Sequence, residues 1–134
     1  MIEIEDVAKT FILHNQGGAV IRVMEGAHLR VAPGECVALT GASGAGKSTL
    51  MRMIYGNYLA ASGRIVVGGV DVAQAAPREI IQLRRETLGY VSQFLRVVPR
   101  VPTREVVAEP LRAVGVDETA ARARAAELLA RLNI

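Results

Sequence analysis

Residues 41–49 read GASGAGKST. Glycine weakens strands and helices alike, so Gly41, Gly44 and Gly46 in one short stretch point to a backbone that something must approach closely. With glycines at these positions, successive N–H groups are free to turn inward around an oxyanion. A helix beginning at the same point would aim its N-terminal dipole at that charge. Gly41, Gly46, Lys47 and Ser48 satisfy G-x-x-x-x-G-K-[ST] in full. In that motif the lysine reaches the β- and γ-phosphates of a nucleotide and the Ser/Thr hydroxyl binds Mg²⁺. The expected phosphate-binding residues are therefore Gly41, Ala42, Ser43, Gly44, Ala45, Gly46, Lys47, Ser48 and Thr49, with Ser48 on the metal. The competing reading is a plain flexible Gly/Ser turn. The flanks argue against it: apolar CVALT before the loop reads as a strand, and KSTLMRMIYG after it places Leu50, Met53 and Ile54 at helical spacing.

The rest of the chain supplies elements to position this loop. MIEIEDVAKTF alternates Ile2 and Ile4 with Glu3 and Glu5, the pattern of a half-exposed strand. AVIRVMEGAHLRV is expected to form two short strands broken at Glu25-Gly26, with a turn at Pro33-Gly34. CVALT does not alternate, as befits a strand buried on both faces of a mostly parallel sheet. SGRIVVGGVDV is expected to be a hairpin turning at Gly68-Gly69, and APREIIQLRRET a short helix with Pro77 in its first turn. LGYVSQF reads as a further strand. Thr103 is the expected cap of one helix and Asp117 of the next, on which Ala121, Ala125, Leu128, Leu129 and Leu132 form a single stripe.

Composition narrows the function classes. The 134 residues are 51% hydrophobic and 22% charged, which is globular rather than disordered. The formal net charge of +3 is spread along the chain, so nucleic acid is not an expected partner. The single cysteine, Cys36, lies in an apolar run and is expected to be a buried small hydrophobe; it forms no internal disulfide, which fits a cytoplasmic location. The N-terminus has no signal-peptide pattern, and no apolar run approaches the roughly 20 residues of a membrane span. Direct membrane insertion is not expected.

Several stretches together resemble one family. The loop GASGAGKST is similar to that of ABC-type ATPases. YVSQF resembles the family's Q-loop, which implies that Gln93 sits near Mg²⁺ and the attacking water. VAKTF resembles its adenine-stacking segment, which implies that Phe11 is the base-binding aromatic. SGRIVVGGVDV resembles its antiparallel hairpin. The resemblance implies ATP and Mg²⁺ as cofactors, Lys47 and Gln93 as catalytic residues, and Ser48 and Gln93 as metal ligands. Within the family, YGNYLAASGRI, YVSQFLRVVPRVPTREVV and LLARLNI are most similar to the ATPase L subunit of the bacterial carbon–phosphorus lyase (phosphonate) system. That likeness implies other lyase subunits, or a second ABC ATPase subunit, as partners, and attachment of a phosphonate to the ribose of ATP with loss of adenine. The alternative inside the family is the ATPase of a lipoprotein- or macrolide-exporting transporter. Two readings lie outside it: a small P-loop kinase, to which RRET and LRVVPR offer a faint arginine lid, and an interaction module using Arg96 and Arg100.

The resemblance is to the N-terminal part of such a domain. No LSGGQ-like signature, no apolar strand ending in Asp-Glu and no switch His follow. Asp71 lies in the expected hairpin, Glu109 in an expected helix, and His14 and His28 precede the loop. The expected fold is an α/β P-loop NTPase (ABC ATPase) core over residues 1–98 with an antiparallel hairpin region, then the start of a helical subdomain over 99–134. As an incomplete domain it is expected to bind ATP without efficient hydrolysis and to be of low stability, with an exposed sheet edge.

Overall fold

The alternating apolar residues at the N-terminus build β1, Ile2–Leu13, and its antiparallel partner is β2, Ala19–Val31, joined through a short 3-10 turn at His14–Gln16. The computed structural model describes residues 1–92 and 98–134, with Gln16 described by its backbone alone. The break expected at Glu25-Gly26 is instead a bulge inside one continuous strand. Val7 faces Ala27 and Lys9 faces Met24, so β2 spends one residue more than β1 across this step, and Gly26 takes a φ of 60° to accommodate it. A complementary irregularity lies on β1. Ile4 faces Leu29 and Val7 faces Ala27, and Asp6 adopts a φ of 49° between them. The extra residue keeps both Ile4 and Val7 on the inner face, where each is buried.

β3, Ser62–Val67, pairs antiparallel with the other side of β1, and β4, Val70–Asp71, pairs with β3 across the expected Gly68-Gly69 turn. The sheet order is β2-β1-β3-β4. Gly63 makes the β1–β3 approach possible: its φ is 85°, and a side chain there would overlap the Asp6 carbonyl. Helix α1, Lys47–Ile54, buries Leu50 and Met53 against this sheet with Ile4, Val7, Ile65, Val67, Val72 and Leu83. Each such large side chain contributes about 1.5–3 kcal/mol. α1 ends at Gly56, whose N–H bonds the Met53 carbonyl while Asn57 bonds Arg52, so two final carbonyls are satisfied. α2, Pro77–Glu86, begins at the expected proline and buries Leu83. Arg84 on α2 ties the end of α1, donating to Tyr55 O at 2.9 Å and Asn57 Oδ1 at 2.8 Å.

Two expected strands lack a ladder over their described residues. Residues 36–40 carry no ladder, and neither do residues 88–92. A strand exists only through paired backbone groups, and among the described residues no neighbour pairs with either segment. The same lack of cover leaves Cys36 exposed instead of buried.

Residues Met1–Gly89 form one compact unit and Tyr90–Ile134 a second. The second contains α3, Thr103–Ala113, and α4, Glu118–Arg131. Asp117 caps α4 as expected, accepting from the N–H groups of Thr119 and Ala120. Thr103 does not cap α3: it is the first helical residue, and Pro102 holds the cap position with its extended backbone. Ala108, Ala121 and Ala125 are buried between the helices, whereas Leu132, expected on the same stripe, is exposed past the end of α4.

Candidate nucleotide-binding site

The glycine loop is curled. Gly41, Gly44 and Gly46 have φ of 138°, 82° and 83°, values open to glycine and strained for any residue with a Cβ. Ala45 N–H bonds back to Ala42 O at 3.3 Å. The Lys47 ammonium closes the curl, donating to Gly41 O at 2.8 Å and Ala42 O at 2.7 Å. Gly46 caps α1 in a left-handed conformation, and the first intrahelical bond runs from Leu50 N to Gly46 O. The N–H groups of Lys47, Ser48 and Thr49 therefore precede the helix ladder and face the loop end of the dipole.

Tertiary packing explains Gly46 further. It is buried, and a Cβ there would lie 3.2 Å from Met24 Cε, Val23 Cγ1 and Val23 O. The loop thus joins α1 directly against β2. Ser48 remains exposed on the first turn of α1. This donor set suits an anion with a counter-cation: three unladdered amides, one ammonium and one exposed hydroxyl at a helix N-terminus.

Phe11 lies two residues beyond Lys9 on β1, and Lys9 is the ladder partner of Met24, which abuts Gly46. The strand rise puts Phe11 roughly 7 Å further along from that contact. Its half-buried ring meets Tyr58 edge to face, with centroids 5.3 Å apart at 81°. The Lys9 Nζ lies 4.8 Å from the Phe11 centroid and donates to Leu59 O at 2.6 Å. Sequence reasoning singled out Phe11 but not Lys9 and Tyr58, which meet it, or Arg52, which meets Tyr58. The signal was present in the KTF of VAKTF, where residues two apart on a strand share a face.

Gln93, expected on the metal and the attacking water, lies outside the described residues, as does Arg96. Of the two acidic candidates, Asp71 has local partners. Asp71 Oδ1 accepts from Ala73 N at 3.0 Å, with Arg64 at 3.5 Å from the other oxygen, and Glu109 lies exposed on α3. His28 Nδ1 accepts from Asp6 N at 3.4 Å, away from the loop.

Comparison with known proteins matches residues 24–134 to the ABC transporter family. The chain is 37% identical to the lipoprotein-releasing system ATP-binding protein LolD of Novosphingobium aromaticivorans, covering all of this chain and 58% of that protein. It is 38% identical to the macrolide export ATP-binding/permease protein MacB of Brucella abortus, covering all of this chain and 20% of that protein. Among solved structures it superposes with a TM-score of 0.86 at 26% identity on a dimeric post-hydrolysis state of the ATP-binding cassette MJ0796 bound to ADP and Pi, covering 96% of this chain and 56% of that one. The chain therefore spans little more than half the length of LolD and of that cassette.

Proposed function

The chain belongs to the ABC transporter family of ATP-binding domains, with its α/β P-loop fold, and from that premise we propose that it is the nucleotide-gripping part of an exporter-type ATPase subunit. The observation that carries this reading is the curled loop at the N-terminus of α1, closed by Lys47 and seated on β2 through Gly46. Amides from Gly41 to Thr49 would surround the phosphates of ATP. Lys47 leaves the Gly41 and Ala42 carbonyls for the phosphates, trading two neutral acceptors for a polyanion. Ser48, together with Gln93, would hold Mg²⁺, which when bound neutralises charge building between the β- and γ-phosphates. Phe11 would stack on the adenine. Residues 1–98 would form part of the α/β core and 99–134 the beginning of a helical subdomain.

The carbon–phosphorus lyase branch expected from the sequence has no counterpart among the relatives named above, which release lipoproteins or export macrolides by name. The exporter reading is therefore preferred, with a second ABC ATPase subunit and a membrane permease as partners. Among the described residues no helix is long and apolar enough to cross a membrane, so the proposed contact with the bilayer is made by the permease. A cytoplasmic location follows from that arrangement.

Titration calorimetry with Mg²⁺–ATP tests the cradle. Lys47→Ala is expected to lower affinity by at least about 100-fold, since a charge-assisted contact to a phosphate is lost in a preformed site. Unchanged affinity overturns the assignment. The branch is tested by isolating the encoded protein from detergent-solubilised membranes. Recovery with a permease supports the exporter reading, and recovery with phosphonate-processing subunits alone sinks it.

A further inference from the structure

A single contact chain runs from the phosphate helix to the aromatic ring on β1. Arg52 of α1 donates to the Tyr58 hydroxyl at 2.9 Å, and its guanidinium lies 5.6 Å from the Tyr58 ring centroid. Tyr58 meets Phe11 edge to face. Lys9 closes the group, its Nζ lying 4.8 Å from the Phe11 centroid and 5.8 Å from that of Tyr58. The ammonium does not float over these rings, because it is tied to the Leu59 carbonyl at 2.6 Å. Leu59 in turn lies just past the closed end of α1 at Gly56-Asn57. Lys9 and Phe11 sit on β1, Arg52 on α1, and Tyr58 and Leu59 on the segment that follows α1.

We infer that Lys9 is a positioning residue for nucleobase binding: it holds the Phe11 ring in the orientation in which a purine stacks on it. The inference rests on the reading of Phe11 as the stacking ring. An aromatic ring gains affinity for a flat base only to the extent that its rotamer is already fixed, since ordering a side chain on binding costs part of the contact. Here two contacts fix it, the quadrupole attraction to a tethered cation and the edge-to-face contact with Tyr58. The tether to Leu59 makes the cation a fixed point, and Arg52 ties Tyr58 to α1, the helix that begins at the glycine loop. Phe11 stays half-exposed, so part of its surface is open to a base.

Calorimetry with two probes separates this role from phosphate binding. Mg²⁺–ATP reads base and phosphates together, and Mg²⁺–tripolyphosphate reads the cradle without a base. Lys9→Met keeps the hydrocarbon stem and removes the charge. It is expected to weaken ATP about 3- to 10-fold, the range of one partly desolvated cation–π contact, and to leave tripolyphosphate unchanged. Lys9→Arg should restore most of the loss. Phe11→Ala should weaken ATP alone, and adding Lys9→Met to it should cost nothing further. Should Phe11→Ala weaken ATP while Lys9→Met does not, the positioning role fails and stacking survives. If neither variant changes ATP affinity, the stacking reading itself falls. Equal loss on both probes, or an additive loss in the double variant, also overturns the inference, since Lys9 would then act on the fold at large. A Lys9→Met chain that does not fold is replaced by Lys9→Gln, read against the same outcomes.

Discussion

The two units of this molecule are held together by different physics. In residues Met1–Gly89, eight buried apolar side chains, from Ile4 to Leu83, meet in one core between sheet and helices. Among the described residues of Tyr90–Ile134 the buried core is three alanines, Ala108, Ala121 and Ala125. What that second unit lacks in apolar area it offsets with charge. Glu105 on α3 accepts from Arg122 Nε on α4 at 2.9 Å and from Arg112 Nη2 at 3.1 Å, and Glu118 is shared by the same two arginines. The lesson is that the glycine loop is mounted on the part least sensitive to solution conditions. Apolar burial is nearly indifferent to salt and mild acid, whereas an exposed ion-pair network responds to both.

The comparison is broken most severely at Gly63. Gly63→Ala forces a Cβ into the Asp6 carbonyl and a non-glycine residue into a φ of 85°, so the β1–β3 pairing must open. A loss above about 4 kcal/mol is expected in the first unit. Chemical denaturation followed by β-sheet circular dichroism checks it, and a midpoint like that of the parent chain would show that the sheet does not depend on this approach.

Met53→Ala comes next. It empties a fully buried site on the inner face of α1 and should cost about 3 kcal/mol. Hydrogen exchange should locate that loss in Met1–Gly89 and leave the amides of α3 and α4 as protected as before. Equal loss of protection in both units would refute their independence.

The smallest effects belong to the ion pairs. The hydrogen bond from Arg122 does most to hold the Glu105 carboxyl below its ordinary value; burial opposes it, and the charges of Arg122 and Arg112 add to the lowering. The Asp117 carboxyl is lowered by the Ala120 and Thr119 amides it caps. A lowered carboxylate stabilises the folded state above the pKa of the unfolded chain, and that contribution is lost as pH falls through the folded value. The helices of the second unit should therefore weaken below about pH 4.5, the ordinary glutamate range. Glu105→Gln should reduce their amide protection at neutral pH by a small amount that disappears in about 1 M salt, where screening reaches about 3 Å. A salt-independent loss would mean that Glu105 acts by packing.

Some of this was legible before any coordinates. Pro77 at the start of α2, Asp117 on α4 and Gly68-Gly69 at the β3–β4 turn all sit where the chain alone placed them. Each expresses a preference of one residue's own backbone or of groups three positions away. The failures share the opposite property. CVALT and the residues before Gln93 have strand composition, yet form no strand because, among the described residues, nothing beside them completes a ladder. Glu25-Gly26 has breaker composition, yet continues the strand because β1 carries a matching irregularity.

The candidate site divides along the same line. The residue types of Gly41–Ser48 specify the curled turn by themselves, since positive φ, a reaching ammonium and a helix start are all encoded within eight positions. Only the tertiary structure decided that Gly46 must fit under Met24 and Val23, that Lys9 and Tyr58 meet Phe11, and that Arg52 meets Tyr58. Those contacts join residues far apart in the chain, and a contact of that kind depends on how the strands pair and the helix packs, which no short stretch of sequence contains.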